Sequence, residues 1–228
     1  MIQNLLELWY WIIVLAIMVG IVIYFSVCYL RDLWQAFKNR LDDEHPTVFA
    51  ERITEPYSKR MVMMHWLTLA LLVIAWYLGD TLVDERNEKS ATMAGYFVHA
   101  LVGGSVLVAT AMRMIYRSVD RMPKPVSDSL MDMIAREVHH GLYLLLILLP
   151  LTGFMTLLTS PVGEALVTVN AKLLPEKYTG PSAISHVTHD VLMTALMVVV
   201  AIHILGVIWH QFIRKDGLMR RMSLRRKG

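Results

Sequence analysis

Residues 187–213 read VTHDVLMTALMVVVAIHILGVIWHQFI, with Asp190 the sole acidic or basic residue among them. A helix needs about 20 residues to cross a ~30 Å hydrocarbon core, so this run predicts a membrane span. It also carries His189, His203 and His210. His189 and His203 are 14 residues apart, almost four helical turns, and therefore lie on nearly the same face. At 1.5 Å per residue they stand about 21 Å apart along the axis, one toward each end of the span. Two histidines so placed cannot share one ion, but each can serve a separate centre in its own leaflet.

Four further stretches are long and apolar enough to span: residues 8–30, 61–79, 94–112 and 138–158. The whole chain of 228 residues is 56% hydrophobic and 18% charged, with a mean hydropathy of +0.48. Soluble domains sit near 45–50% apolar, so disorder, a fibrous repeat and an ordinary soluble enzyme are excluded. With Cys28 as the sole cysteine there is no intrachain disulfide, no Cys-x-x-Cys-His haem attachment, no iron–sulfur ligation and no cysteine zinc site. Trp9 to Leu30 holds no charge, no basic segment precedes it and no small-residue cleavage site follows. It is expected to be a retained anchor rather than a signal peptide.

The loops alternate in basic residues. Residues 31–60 carry six Lys or Arg, 113–136 carry five and the tail from 214 carries seven, whereas the intervening loops hold only Arg86 with Lys89 and Lys172 with Lys177. The positive-inside rule places the rich loops in the cytoplasm, with the N-terminus outside and the C-terminus inside, which requires an odd number of spans. Five satisfy it. Leu33, Trp34, Phe37 and Leu41 recur at helical spacing among charges, predicting a short amphipathic helix on the inner leaflet, and Asp42–Pro56 reads as a linker. The basic tail suits anionic lipid headgroups, although setting topology is its simpler role. Basic residues at membrane edges give no support to nucleic-acid binding.

Ionisable side chains inside a membrane are expensive, and they mark function by default. By depth, His65 at the start of the second span matches His203 late in the last span, on the cytoplasmic side. His99, early in the third span, matches His189 on the outer side. Two stacked bis-imidazole sites are what two b-type haems require, with both axial positions filled and electron transfer favoured over oxygen binding. Gly103 and Gly104, about one turn below His99, offer room for a porphyrin face or for close helix packing. His186 and His189 also have the i, i+3 spacing of a helical zinc pair, without an obvious third ligand. His139 and His140 face different ways, so at most one enters the bundle. With His210 they read as hydrogen-bond donors or proton carriers, and His45 reads as solvated.

These residues resemble the bacterial cytochrome b561 family, small di-haem membrane cytochromes that include superoxide oxidase. The resemblance rests on Tyr57-Ser58 before Met64-His65-Trp66-Leu67, His99 opening the next span, His139 four residues before Tyr143 in a span that continues through Pro150 to Gly153, the spacing of His189, His203 and His210, and Lys215-Asp216 followed by Leu218-Met219-Arg220. It covers residues 56–223 and implies an all-α membrane protein: a four-helix bundle with two haems b, ligated by His65 with His203 and by His99 with His189. The extra N-terminal helix lies outside the family pattern. The chain thus divides into an anchor (1–30), an amphipathic helix and linker (31–55), a four-helix di-haem domain (56–223) and a basic tail (214–228). The resemblance further implies a quinone, ubiquinone, as lipid-side partner; the cytoplasmic-side candidates to bind it are His139, His210, Trp66, Arg60, Lys59 and Arg113, with His139 and His210 first because they repeat family positions. The expected activity is electron transfer between a periplasmic donor and the quinone pool of a bacterial inner membrane. Superoxide oxidation and a cytochrome b subunit of a dehydrogenase or hydrogenase are the alternatives, with a haem-free scaffold as a further one. The outer loops sum to −2 and 0 in charge, which does not favour steering of anionic superoxide.

Overall fold

The computed structural model describes residues 56–120, 130–215 and 217–224, together with residue 34. Among the described residues there are helices and no strands. Helix α1 spans Lys59–Asn87, α2 Met93–Val119, α3 Leu130–Thr159, α4 Pro161–Thr168 and α5 Pro181–Ile208. A short 3-10 turn, Ala171–Leu173, lies between α4 and α5; a π-helical turn, Trp209–Arg214, extends α5, and a second 3-10 turn follows at Leu218–Met222. Four of these helices are long and apolar enough to cross a membrane, and they contain the four expected spans between 61 and 213. The expected span at 8–30 lies outside the described residues. So does the amphipathic helix, apart from Trp34, which is helical and exposed.

Local chemistry sets the helix ends. Ser58 caps α1 by accepting from the Met61 amide, and Thr92 caps α2 by accepting from the Gly95 amide at 3.1 Å. Pro161 and Pro181 open α4 and α5, where a missing N–H costs nothing. Buried hydroxyls inside the spans turn back on their own helices: Thr110 donates to Val106 O at 2.8 Å and Thr156 to Thr152 O at 3.0 Å. A medium without water leaves a buried hydroxyl little alternative.

The helices pack as two pairs, α1 with α2 and α3 with α5, joined by α2 against α3. The first pair is drawn close at one end by Gly95, where a Cβ would stand 2.9 Å from a Leu82 methyl. The α1 and α5 backbones, by contrast, stand apart. Val106, Leu146, Leu149 and Leu196 form the buried core, with Leu72, Leu192 and Val200 against it. Outward faces are apolar, with Val108 64% and Leu205 63% exposed. Such surfaces suit lipid rather than water.

Candidate functional site

The bundle carries one register on four helices. Position 65 on α1, 99 on α2, 139 on α3 and 189 on α5 are each followed 14 residues later by a second position on the same face. The antiparallel helices gather these into two layers. One layer holds Gly79, His99, Gly153 and His189; the other holds His65, Arg113, His139 and His203. Halfway between, seven residues from each, stand Leu72, Val106, Leu146 and Leu196, three of them buried in the core and Leu72 packed on it. Two polar layers are therefore separated by an apolar plug, about 21 Å apart along the bundle.

Each layer contains one imidazole pair across the gap between helices. The ring centres of His65 and His203 are 6.4 Å apart, and those of His99 and His189 are 6.3 Å apart. Two imidazole nitrogens bound to one metal at about 2.0 Å would place their ring centres about 6.3 Å apart. Both pairs therefore stand at the separation that a single iron between them needs. Nδ1 of His65 is buried without a hydrogen-bond partner among the described residues, whereas His99 faces the Ala75 carbonyl of α1.

In the glycine layer the imidazoles are closely seated. Nδ1 of His189 donates to the Leu149 carbonyl at 2.9 Å, with the Thr152 hydroxyl oxygen 3.2 Å away. A carbonyl can only accept, so Nδ1 holds the proton and Nε2 keeps its lone pair for a metal, the usual second-shell arrangement. A Cβ on Gly153 would lie 3.0 Å from His189 Cε1, and a Cβ on Gly79 would lie 3.0 Å from His99 Cε1. These two glycines make room for the imidazoles themselves. A Cβ on Gly103 or Gly104 would meet nothing within 4 Å. Among the described residues nothing packs against either glycine, so the space beside them is open there.

The other layer replaces those glycines with Arg113 and His139. His139 stands edge-on to His203 with ring centres 5.1 Å apart, and its Nδ1 donates to Ala135 O at 2.5 Å. Its Nε2 is left free of that bond, on the side of the ring away from Ala135. His140 faces Glu137 instead, at 3.7 Å, so one member of that pair enters the bundle, as the helical spacing predicts.

Residues 56–223 match the family described as prokaryotic cytochrome b561. The chain belongs to that family. It is 24% identical over 170 residues to the cytochrome b562 of Cereibacter sphaeroides, covering 73% of this chain and 94% of the relative. It is also 24% identical over 181 residues to the probable superoxide oxidase CybB of Yersinia pestis, covering 75% of this chain and 98% of the relative. As a cytochrome b561 it is a multi-pass, haem-binding protein of membrane electron transport, and haem b is the cofactor the family implies. The paired imidazoles, the carbonyl-anchored His189 and the glycine cradles fit that group.

The remaining quinone candidates sit at the His65 end. Arg60 is ion-paired with Asp120, which Ser58 also engages, and it lies 5.1 Å from the Tyr116 ring centre. Trp66 donates to the Met222 carbonyl at 3.4 Å. Both tie chain ends together there, as does the Tyr57 amide bonded to Arg221 O at 3.2 Å. His210 is buried in the π-helical turn, seven residues beyond His203.

At the opposite end, sequence reasoning missed a cluster. Arg86 donates to His186 Nε2 at 2.8 Å, and His186 Nδ1 faces Asp190 Oδ2 at 3.1 Å. Tyr178 lies over the same imidazole, 4.5 Å between ring centres, with the Arg86 guanidinium 5.2 Å from the Tyr178 ring. Burial, and the neighbouring Tyr96, push the Tyr178 phenol well above its ordinary pKa, so it stays a neutral donor. His186 is thus engaged by Arg86 and Asp190, and among the described residues no three His, Cys, Asp or Glu side chains converge as a metal site. Gly79 and Gly153 were also missed, although each sits 14 residues after a histidine already singled out.

Proposed function

We propose that this cytochrome b561 carries electrons across a bacterial inner membrane through two haems b, between a periplasmic donor and the quinone pool. The observation that supports it best is the pair of imidazole separations, 6.4 and 6.3 Å, in two layers of one bundle. His65 with His203 hold the cytoplasmic haem, and His99 with His189 hold the periplasmic one. When bound, haem b supplies reversible one-electron chemistry at an iron whose two axial positions are filled.

The chain's own residues do the rest. The Leu149 carbonyl orients His189, and the glycines admit the rings. The leucine and valine plug excludes water between the layers. His139, whose Nδ1 proton is held by the Ala135 carbonyl, has Nε2 beside His203 to take up a proton from the cytoplasmic side and pass it to a quinone oxygen, with His210 as the second proton carrier. Arg60 and Trp66 support that end through Asp120 and Met222. The basic loops set the N-terminus outside and the C-terminus inside, and the segment 1–30 adds an anchor or a docking helix to the four-helix domain.

Superoxide as donor is the second reading, favoured by the likeness to the probable superoxide oxidase of Yersinia pestis over 98% of that protein. Lys172 and Lys177 are exposed in the outer connection and would meet the anion there. The deciding measurement is haem b per polypeptide in detergent-purified protein, with its reduced-minus-oxidised spectrum. Two low-spin haems per chain are expected, and one or none overturns the reading. Superoxide added with ubiquinone then separates the donors: a rate no greater than the spontaneous one removes superoxide and leaves the wire.

A further inference from the structure

Arg113 stands in the layer of His65, His139 and His203, fourteen residues after His99 on α2. By sequence it belongs to a basic loop, yet it lies within α2, which runs on to Val119. Its charge reaches all three imidazoles of the layer. The side chain is half-buried, and its Nε is buried with no hydrogen-bond partner. Among the described residues no carboxylate pairs with it. Its guanidinium lies 5.2 Å from the centre of the buried Tyr143 ring, but Arg117 approaches the same ring at 5.9 Å. Two like charges on one ring repel, and cation–π attraction of roughly 0.5–2 kcal/mol leaves the half-buried guanidinium, whose Nε has no partner, short of a counter-charge. The equivalent positions of the other layer, Gly79 and Gly153, carry no charge. Of the two layers, only this one holds a cation, and among the described residues no anion answers it.

We propose that Arg113 is the counter-ion of a propionate on the haem held by His65 and His203. The inference rests on the two-haem reading above. A haem b brings two carboxylates into the bundle, and a guanidinium is the side chain best shaped to bind one. A cation beside the centre also favours the reduced state, so this haem takes up electrons at a higher potential than it would without Arg113.

The test is a redox titration of the full-length protein with Arg113→Gln, read together with the haem-to-chain ratio. Expected is a shift of the His65/His203 haem toward the oxidised form by at least tenfold, about 59 mV for one electron, or its loss, with the other haem retained. Arg113→Lys, which keeps the charge, should restore most of the shift. Two haems in Arg113→Gln, with the reduction equilibrium moved by less than threefold, overturn the proposal. Should the glutamine variant not fold, the question passes to a His99→Leu protein, which keeps only the His65/His203 site. Its apoprotein is offered haem b or the dimethyl ester of haem b. At least tenfold weaker uptake of the ester is expected, and equal uptake overturns the proposal. Failure of the underlying reading is distinct: the native protein would hold fewer than two haems.

Discussion

The two polar layers of the bundle share a design and differ in their neighbours. Each has one imidazole pair at nearly the same separation, 6.3 and 6.4 Å. In the layer of His99 and His189 the other two helices contribute Gly79 and Gly153, which leave space and no chemistry. In the layer of His65 and His203 they contribute Arg113 and His139, a cation and a third imidazole. The comparison teaches that holding a cofactor needs only ligands and room. Coupling it to charge and protons needs two further side chains, and those stand at one end of the molecule only. An electron can pass through either layer, but the second is equipped to meet a substrate whose reduction consumes protons.

Breaking one layer should leave the other. The largest effect expected is from His99→Leu, which should lower the haem count from two to one and spare the His65/His203 site. Loss of both haems from a folded protein would show the layers to be interdependent. His139→Gln should slow quinone reduction by roughly a hundredfold, the scale of a lost acid–base group, while both haems stay bound. Unchanged turnover with that variant would remove His139 from the quinone site. Gly153→Val forces a side chain against an imidazole carbon 3.0 Å from its Cβ, and overpacking of this kind costs about 1–3 kcal/mol. Thermal unfolding and the spectrum of the His99/His189 haem should both change. Gly141→Ala, whose Cβ would meet Val199 at an ordinary 3.9 Å, is the silent control. The smallest effect is that of Thr152→Val. The Leu149 carbonyl still holds His189, so a stability loss of about 1 kcal/mol is expected, with the potential of that haem nearly unchanged. A large potential shift would make the hydroxyl, rather than the carbonyl, the orienting group.

Much of this was legible in the chain because a membrane simplifies the reading. Continuous apolar length marked the four described spans, and the depth of each histidine matched His65 to His203 and His99 to His189, the pairs that stand together. What escaped was whatever depends on rotation about a helix axis. Gly103 and Gly104 drew attention by proximity to His99 on its own helix, whereas the glycines that cradle imidazoles come from neighbouring helices. Arg113 reads from sequence as a loop charge and a quinone candidate because it lies near the end of a span, and its place in a layer becomes visible only when α2 is set beside α1, α3 and α5. The engagement of His186 with Arg86 could not be read because the partners are 100 residues apart. The Leu149 carbonyl carries no side-chain signal at all.

Both imidazole pairs take one member from α5, the last of the long helices. His65 and His99 are synthesised early and wait in the membrane without partners until residues 189 and 203 have been made. If these pairs hold the two haems proposed above, maturation has a fixed order: neither could be fully ligated before α5 is inserted, and a ribosome that stops short of residue 189 would leave helices with no complete pair. The carbonyl of Met222, bonded to Trp66 on the first of these helices, then ties the turn that follows α5 back to α1.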